Sequence, residues 1–191
     1  MGRKLLLVDD EPLLRSDLKD TLQERGYEIV GEAGDGFEAV DMCKKFKPDL
    51  VIMDIDMPIL DGIKAGKIIS KENLAGGVLL LTSFEDDKYV QMAKKIGAFG
   101  YLVKPISTKS LIPTVEMCLS KVNEFEEMKK DLEKVNSKLT ERKLVERAKA
   151  ILIREFKISE DEAYTRIRKL SMDKRTTMLD IAKMIIIGYD D

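Results

Sequence analysis

Histidine is absent from this 191-residue chain, and so is tryptophan. Without imidazole there is no His-ligated metal, no Ser-His-Asp or Cys-His nucleophile and no phosphohistidine. Cysteine is scarce: Cys43 and Cys118 lie far apart and form no Cys-x-x-Cys pair. That pattern speaks against both a thiolate zinc site and a disulfide framework. No apolar run approaches the roughly 20 residues of a membrane-spanning helix. Met1 leads directly into a charged segment with no apolar signal region. A cytoplasmic protein with reduced thiols and no membrane partner is the expectation. Aromatic residues are few as well, at 6%.

Present instead are 44% hydrophobic and 36% charged residues, the composition of a folded, helix-rich protein. At roughly 150 residues per domain, the length allows one large domain or two small ones. The net charge of −2 is unevenly spread. Residues 1–118 hold 16 basic and 20 acidic side chains, and residues 119–139 hold five of each. Residues 140–191 hold 12 basic and 10 acidic, too mild an excess to indicate nucleic-acid binding by itself.

The first part alternates strand-like and helix-like segments. Residues 4–8 form a short apolar run typical of a strand buried on both faces. Leu13, Leu14, Leu18 and Leu22 recur at helical spacing, and Gly26 stops that helix. Residues 27–33, 50–53, 78–82 and 99–103 read as further strands, with helices over 37–46, 63–70 and 88–96 and another from Ser107. Five β-α units imply an α/β domain: a doubly wound parallel sheet covered by helices on both faces. Ligands bind such a sheet at the carboxyl ends of its strands.

Beyond residue 107 the strand signal vanishes. Cys118, Phe125, Leu132 and Leu139 repeat every seven residues, with Val122, Lys129 and Asn136 at the matching heptad positions. That is a coiled-coil seam of about three heptads, and a dimer is its simplest use. An amphipathic helix packed on its own domain is the alternative. The last 50 residues hold three more apolar faces: Leu144, Ala148, Ile151 and Leu152; Ala163, Ile167 and Leu170; Met178, Ile181, Ala182 and Ile185. The second is opened by Ser159 with Glu162 three residues on, a capping-box pattern. A three-helix all-α module follows the coiled-coil helix.

Four strand ends carry polar chemistry. Asp9 and Asp10 follow the first strand, Asp54 the third, Thr82 and Ser83 the fourth, and Lys104 the fifth. On one rim, three carboxylates repel one another and need a cation, and oxygen-only ligands favour Mg²⁺. A lysine and a hydroxyl beside them suit phosphoryl transfer to a carboxylate nucleophile. Each residue alone could be a mere turn residue; their joint placement argues otherwise.

These residues resemble the receiver domain of two-component response regulators: Val8-Asp9-Asp10-Glu11-Pro12, Met53-Asp54-Ile55-Asp56-Met57-Pro58, Asp61-Gly62, Thr82-Ser83, Gly97-Ala98 and Tyr101-Leu102-Val103-Lys104-Pro105. The resemblance implies that Asp54 accepts phosphate from a sensor histidine kinase. It implies that Asp10, Asp54 and the backbone carbonyl of Asp56 ligate Mg²⁺, with Asp9 acting through water. Lys104 would pair with the phosphate and Thr82 would hydrogen-bond it. Tyr101 would be the aromatic that turns inward when Thr82 moves, and the bond before Pro105 would be cis. Phosphorylation roughly doubles the charge on Asp54, and the new oxygens draw in donors. Phe84, a bulky residue two past Thr82, is expected to hinder the hydrolytic water. Asp54-Ile55-Asp56 also resembles the Asp-x-Asp nucleophile of haloacid-dehalogenase-type phosphatases. There the second Asp is acid and base, but Met57-Pro58 replaces the usual small hydroxyl residue. The expectation is a phosphoacceptor with at most slow self-dephosphorylation, not an enzyme.

The C-terminal residues resemble the ANTAR domain, a three-helix RNA-binding module. The match runs through residues 141–152, 159–164, 167–175 and 179–182, with Ala150 where the family commonly has Gly. The resemblance implies binding to tandem stem-loops in a leader RNA. That blocks a terminator hairpin and so acts indirectly on the transcribing RNA polymerase. Tyr164 would stack on a base, Ala163 would allow close approach, and Lys149, Arg168, Lys174 and Arg175 would contact phosphates and bases. Residues 168–175, 144–149 and 185–189 most resemble the ethanolamine-utilisation antiterminators. The expected plan is a receiver over 1–120, a coiled-coil linker helix over 121–139 and an ANTAR module over 140–191. Two alternatives are a DNA- or protein-binding output, and a coiled coil that is itself the output. Activation would form a homodimer through the seam Cys118, Val122, Phe125, Leu132 and Leu139.

Overall fold

The computed structural model describes residues 2–83 and 87–189, with side chains left out for 87–90. The chain divides into two compact units, Met1–Glu126 and Glu127–Asp191. The first contains β1 (Lys4–Val8), α1 (Pro12–Gln23), β2 (Glu28–Ala33), α2 (Gly36–Phe46), β3 (Leu50–Asp54), α3 (Gly62–Lys71), β4 (Val78–Thr82), α4 (Asp87–Lys95) and β5 (Gly100–Val103). The helix α5 (Thr108–Phe156) runs on into the second unit, which adds α6 (Glu160–Asp173) and α7 (Met178–Tyr189). The expected doubly wound α/β sheet is present. Its five strands are all parallel, in the order β2-β1-β3-β4-β5.

The strands alternate between two cores because successive side chains point to opposite faces. Leu6, Val8, Val51, Met53, Val78 and Leu80 pack under α2, α3 and α4. Leu5, Leu7, Ile52, Leu79 and Leu81 pack under α1 and the first turns of α5. The interiors of the three central strands β1, β3 and β4 are apolar on both sides, as a sheet covered by helices requires. Both cysteines lie in these cores, Cys43 in one and Cys118 in the other. Burial pushes their thiols up, to about 12 for Cys43 and about 11 for Cys118. The native protein is therefore expected to resist an aromatic disulfide reagent near pH 8, about where an ordinary thiol reacts. The denatured chain should react at both cysteines. Rapid native labelling would contradict the packing described.

In the second unit the end of α5 packs with α6 and α7 around Val145, Ala148, Ile151, Leu152, Ala163, Ile167, Ile181, Ala182 and Ile186. The capping box is formed: the Ser159 hydroxyl accepts from the Glu162 amide, and the Glu162 carboxylate accepts from the Ser159 amide. One expected core position differs. Leu170 is 40% exposed, and Ser171 takes the buried place. Ala163, Ile167 and Ser171 are spaced by four, which keeps them on one stripe of α6. Ser171 satisfies its hydroxyl by donating to the Arg168 carbonyl at 2.7 Å. Among the described residues no helix is long and apolar enough to cross a membrane.

Candidate functional site

Strand register assembles the acidic pocket. Val8 pairs with Met53, so Asp9 leaves β1 beside Asp54. Asp54 pairs with Leu81, and Thr82 with Val103, which brings Thr82 and Lys104 to the same rim. The rim lies where the strand order reverses between β1 and β3, the crevice in which open α/β sheets bind ligands.

Asp9, Asp54 and Thr82 are buried there. The Lys104 ammonium donates to Asp9 Oδ2 and to Asp54 Oδ2, each at 2.9 Å. Asp54 Oδ1 accepts from the Ile55 amide at 2.8 Å. Burial raises the Asp54 pKa, and the Lys104 ammonium only partly offsets this. Burial lowers Lys104, but the hydrogen bonds to Asp9 and Asp54 outweigh it and the net direction is upward. The bond between Lys104 and Pro105 is cis, as expected.

Asp9, Asp10 and Asp54 offer carboxylate oxygens that all lie within 4.8 Å of one another. Three hard anionic donors with no nitrogen or sulfur among them suit a hard divalent cation such as Mg²⁺. Asp56 is exposed, and its side chain lies outside that cluster. Glu11, which the sequence reading left out, has an oxygen 3.7 Å from the Lys104 ammonium. Tyr101, on the edge strand β5, is 44% exposed, the outward setting from which an inward turn would start. Phe84 lies outside the described residues.

The site depends on one glycine. A Cβ at Gly62 would lie 1.9 Å from the Asp54 carbonyl oxygen and 2.9 Å from its carbon. The Gly62 amide donates to the Ile55 carbonyl at 2.9 Å, so α3 starts tight against the end of β3. Overpacking of this kind costs about 1–3 kcal/mol. Gly62→Ala is expected to lower the urea midpoint and to cut phosphate uptake at Asp54 more steeply than stability. A variant with normal stability and uptake would count against this contact.

The dimer seam needs correction. Cys118 and Val122 are buried in the first unit, Cys118 in the core under α5 and Val122 facing Gly76 and Gly77. They are consumed by the receiver fold and cannot face a partner. Phe125 meets Phe99, with ring centroids 6.3 Å apart. Lys129 and Asn136, the expected companions of that repeat, are polar and exposed. Met128, Leu132, Val135 and Leu139, each more than half exposed, follow the four-three-four spacing of a heptad seam with apolar residues at both positions. That spacing was readable in the sequence. The seven-residue repeat alone hid it, because a single repeat fixes one heptad position and leaves the other open.

The expected RNA contacts divide. Ala163 is fully buried and cannot meet a base. Lys149 is 9% exposed in its side chain, and its ammonium lies 2.7 Å from Glu160 and 2.9 Å from Glu146. The hydrogen bond with Glu160, then that with Glu146, raises its pKa. It ties the start of α6 to α5 and is not free for phosphate. Tyr164, Arg168, Lys174 and Arg175 are exposed. Among the described residues none of these three cations pairs with a carboxylate.

The fold and its strand-end carboxylates define a receiver of the phosphoacceptor class. The chain matches the response regulator receiver domain over residues 5–116 and the ANTAR domain over 133–186. It is 43% identical over 184 residues, 96% of this chain and 89% of the relative, to the transcriptional regulatory protein PdtaR of Mycobacterium tuberculosis. It is 39% identical over 120 residues to the chemotaxis protein CheY of Halobacterium salinarum, 63% of this chain and 99% of that one. The solved structure of the chemotaxis protein CheY4 of Vibrio cholerae superposes with a TM-score of 0.58 at 33% identity, over 61% of this chain and 98% of its own. The chain belongs to the two-component response regulators that carry an ANTAR RNA-binding output domain.

Proposed function

We propose that this is a phosphorylation-activated transcription antiterminator. Asp54 accepts a phosphoryl group from a histidine of its sensor kinase. One Asp54 oxygen forms the bond to phosphorus, the phosphorus–nitrogen bond breaks, and the electron pair returns to the departing imidazole. Asp9, Asp10 and Asp54 would hold Mg²⁺, which neutralises charge on the transferring group when bound. Lys104, already 2.9 Å from Asp54 Oδ2, stabilises the phosphoaspartate. Thr82 moves toward the new oxygens, and Tyr101 fills the space it leaves. The chain turns over no substrate beyond slow loss of its own phosphate, and it works in the cytoplasm.

The observation that carries the output is the exposed stripe Met128, Leu132, Val135 and Leu139. On activation two copies pair along it. Two ANTAR modules then engage adjacent stem-loops of a leader RNA and keep a terminator hairpin from forming. Joining two weak contacts raises avidity roughly 10²- to 10⁴-fold without any new contact. Ethanolamine-utilisation genes are the proposed targets, on the resemblance of residues 168–175, 144–149 and 185–189. The test is full-length protein at fixed salt, with Mg²⁺ and with or without a small acyl phosphate, on a tandem-hairpin RNA and on duplex DNA of equal length. Tight RNA binding only when activated supports the reading. Preference for DNA, or for neither, discards the RNA output.

A further inference from the structure

The second unit carries an apolar groove on the flank of α6 away from Tyr164. Its volume is about 580 Å³, and its walls include Leu170, Lys174, Met184, Ile185 and Tyr189. Small-ligand pockets span roughly 300–1,000 Å³, so one flat heterocycle fits it. Beside the groove the Phe156 ring meets Tyr189 edge-on, with centroids 6.2 Å apart and planes at 75°. The Arg166 guanidinium lies 5.5 Å from the centre of Phe156. Tyr189 belongs to both features, so rings and groove form one surface. Phe156 is 47% exposed, Tyr189 41% and Met184 65%.

We propose that this surface takes an unpaired nucleobase, with its phosphate, from the loop of an RNA hairpin. Single-stranded RNA is held by aromatic faces and guanidinium planes that stack on bases, with cations on the backbone. All three parts are here: two exposed rings, Arg166 against one of them, and Lys174 as the charged residue in the groove wall. Among the described residues no carboxylate pairs with Arg166 or Lys174. A second copy of the chain is the competing occupant. It would bring a second Arg166 and Lys174 against the first pair, and a stable interface needs roughly 800 Å² per partner. The cationic rim instead complements a polyanion. The proposal rests on the RNA output and names its reading face, one that lies apart from Tyr164.

The test uses activated full-length protein and a tandem-hairpin RNA that the wild type selects from a pool with randomised loops, with 2-aminopurine then placed in the loop. Tyr189→Ala is expected to weaken binding roughly 10- to 100-fold and to abolish the stacking quench of 2-aminopurine fluorescence. Tyr189→Phe should keep both affinity and quench. Arg166→Gln, an exposed position with little bearing on folding, should weaken binding by about 3- to 10-fold. Circular dichroism checks that each variant is folded. Affinity within about twofold of wild type for both Tyr189→Ala and Arg166→Gln overturns the proposal and leaves the RNA output standing. So does loss of the dimer in Tyr189→Ala with single-hairpin affinity unchanged, which assigns the groove to a second copy. A wild type that selects no RNA sinks the RNA output itself.

Discussion

Asp54→Asn is expected to take up no phosphate from a small acyl phosphate, read on a phosphate-affinity gel. It should also lose the whole activation-dependent gain in tandem-hairpin affinity, roughly 10²- to 10⁴-fold. The amide keeps the shape of the side chain but removes the anionic nucleophile. Lys104 keeps its hydrogen bond to Asp9, so the pocket should stay folded. Basal affinity for a single hairpin should be unchanged, because Asp54 lies in the first unit and the RNA-binding helices in the second. Residual labelling would place the phosphoacceptor elsewhere.

Leu132→Glu is the second large effect. It puts a carboxylate in the centre of the exposed stripe, where a coiled coil would bury it against its symmetry mate. An unpaired charge in such a seam costs several kcal/mol. Sedimentation of the activated protein should shift from dimer to monomer. Affinity for two hairpins should fall to that for one, and phosphate uptake should be untouched. The same exchange at Lys129, which the seven-residue repeat had assigned to the seam, should change neither. If Leu132→Glu stays dimeric and Lys129→Glu does not, the stripe is misassigned.

The receiver was largely legible in the sequence because its physics is local. Residues 4–8, 50–53 and 78–82 are apolar runs that end in Asp9, Asp54 and Thr82, and a parallel sheet places such ends together. The output was less legible. Lys149 is a cation on an RNA-binding helix by sequence, but only the fold brings Glu160 to it across the turn between α5 and α6. Ala163 reads equally well as a contact or as core, and packing alone decides. Phe156, Arg166 and Tyr189 come from three helices, and no spacing along the chain joins them. Val122 looked like a seam position because nothing in a heptad reveals that Gly76 and Gly77 have cleared room for it.

The placement of sulfur has a consequence for a cell under oxidative stress. Both thiols are fully buried, and their raised pKa values keep them protonated. Peroxide needs a thiolate and finds none. Two of the thioethers are placed the other way. Met128 lies on the pairing stripe and Met184 on the groove, 56% and 65% exposed. Conversion to the sulfoxide would put a polar oxygen on each of these two apolar surfaces and leave the phosphate pocket intact. Oxidative damage would then separate the two halves of the signal: a regulator still charged by its kinase, but unable to pair or to read.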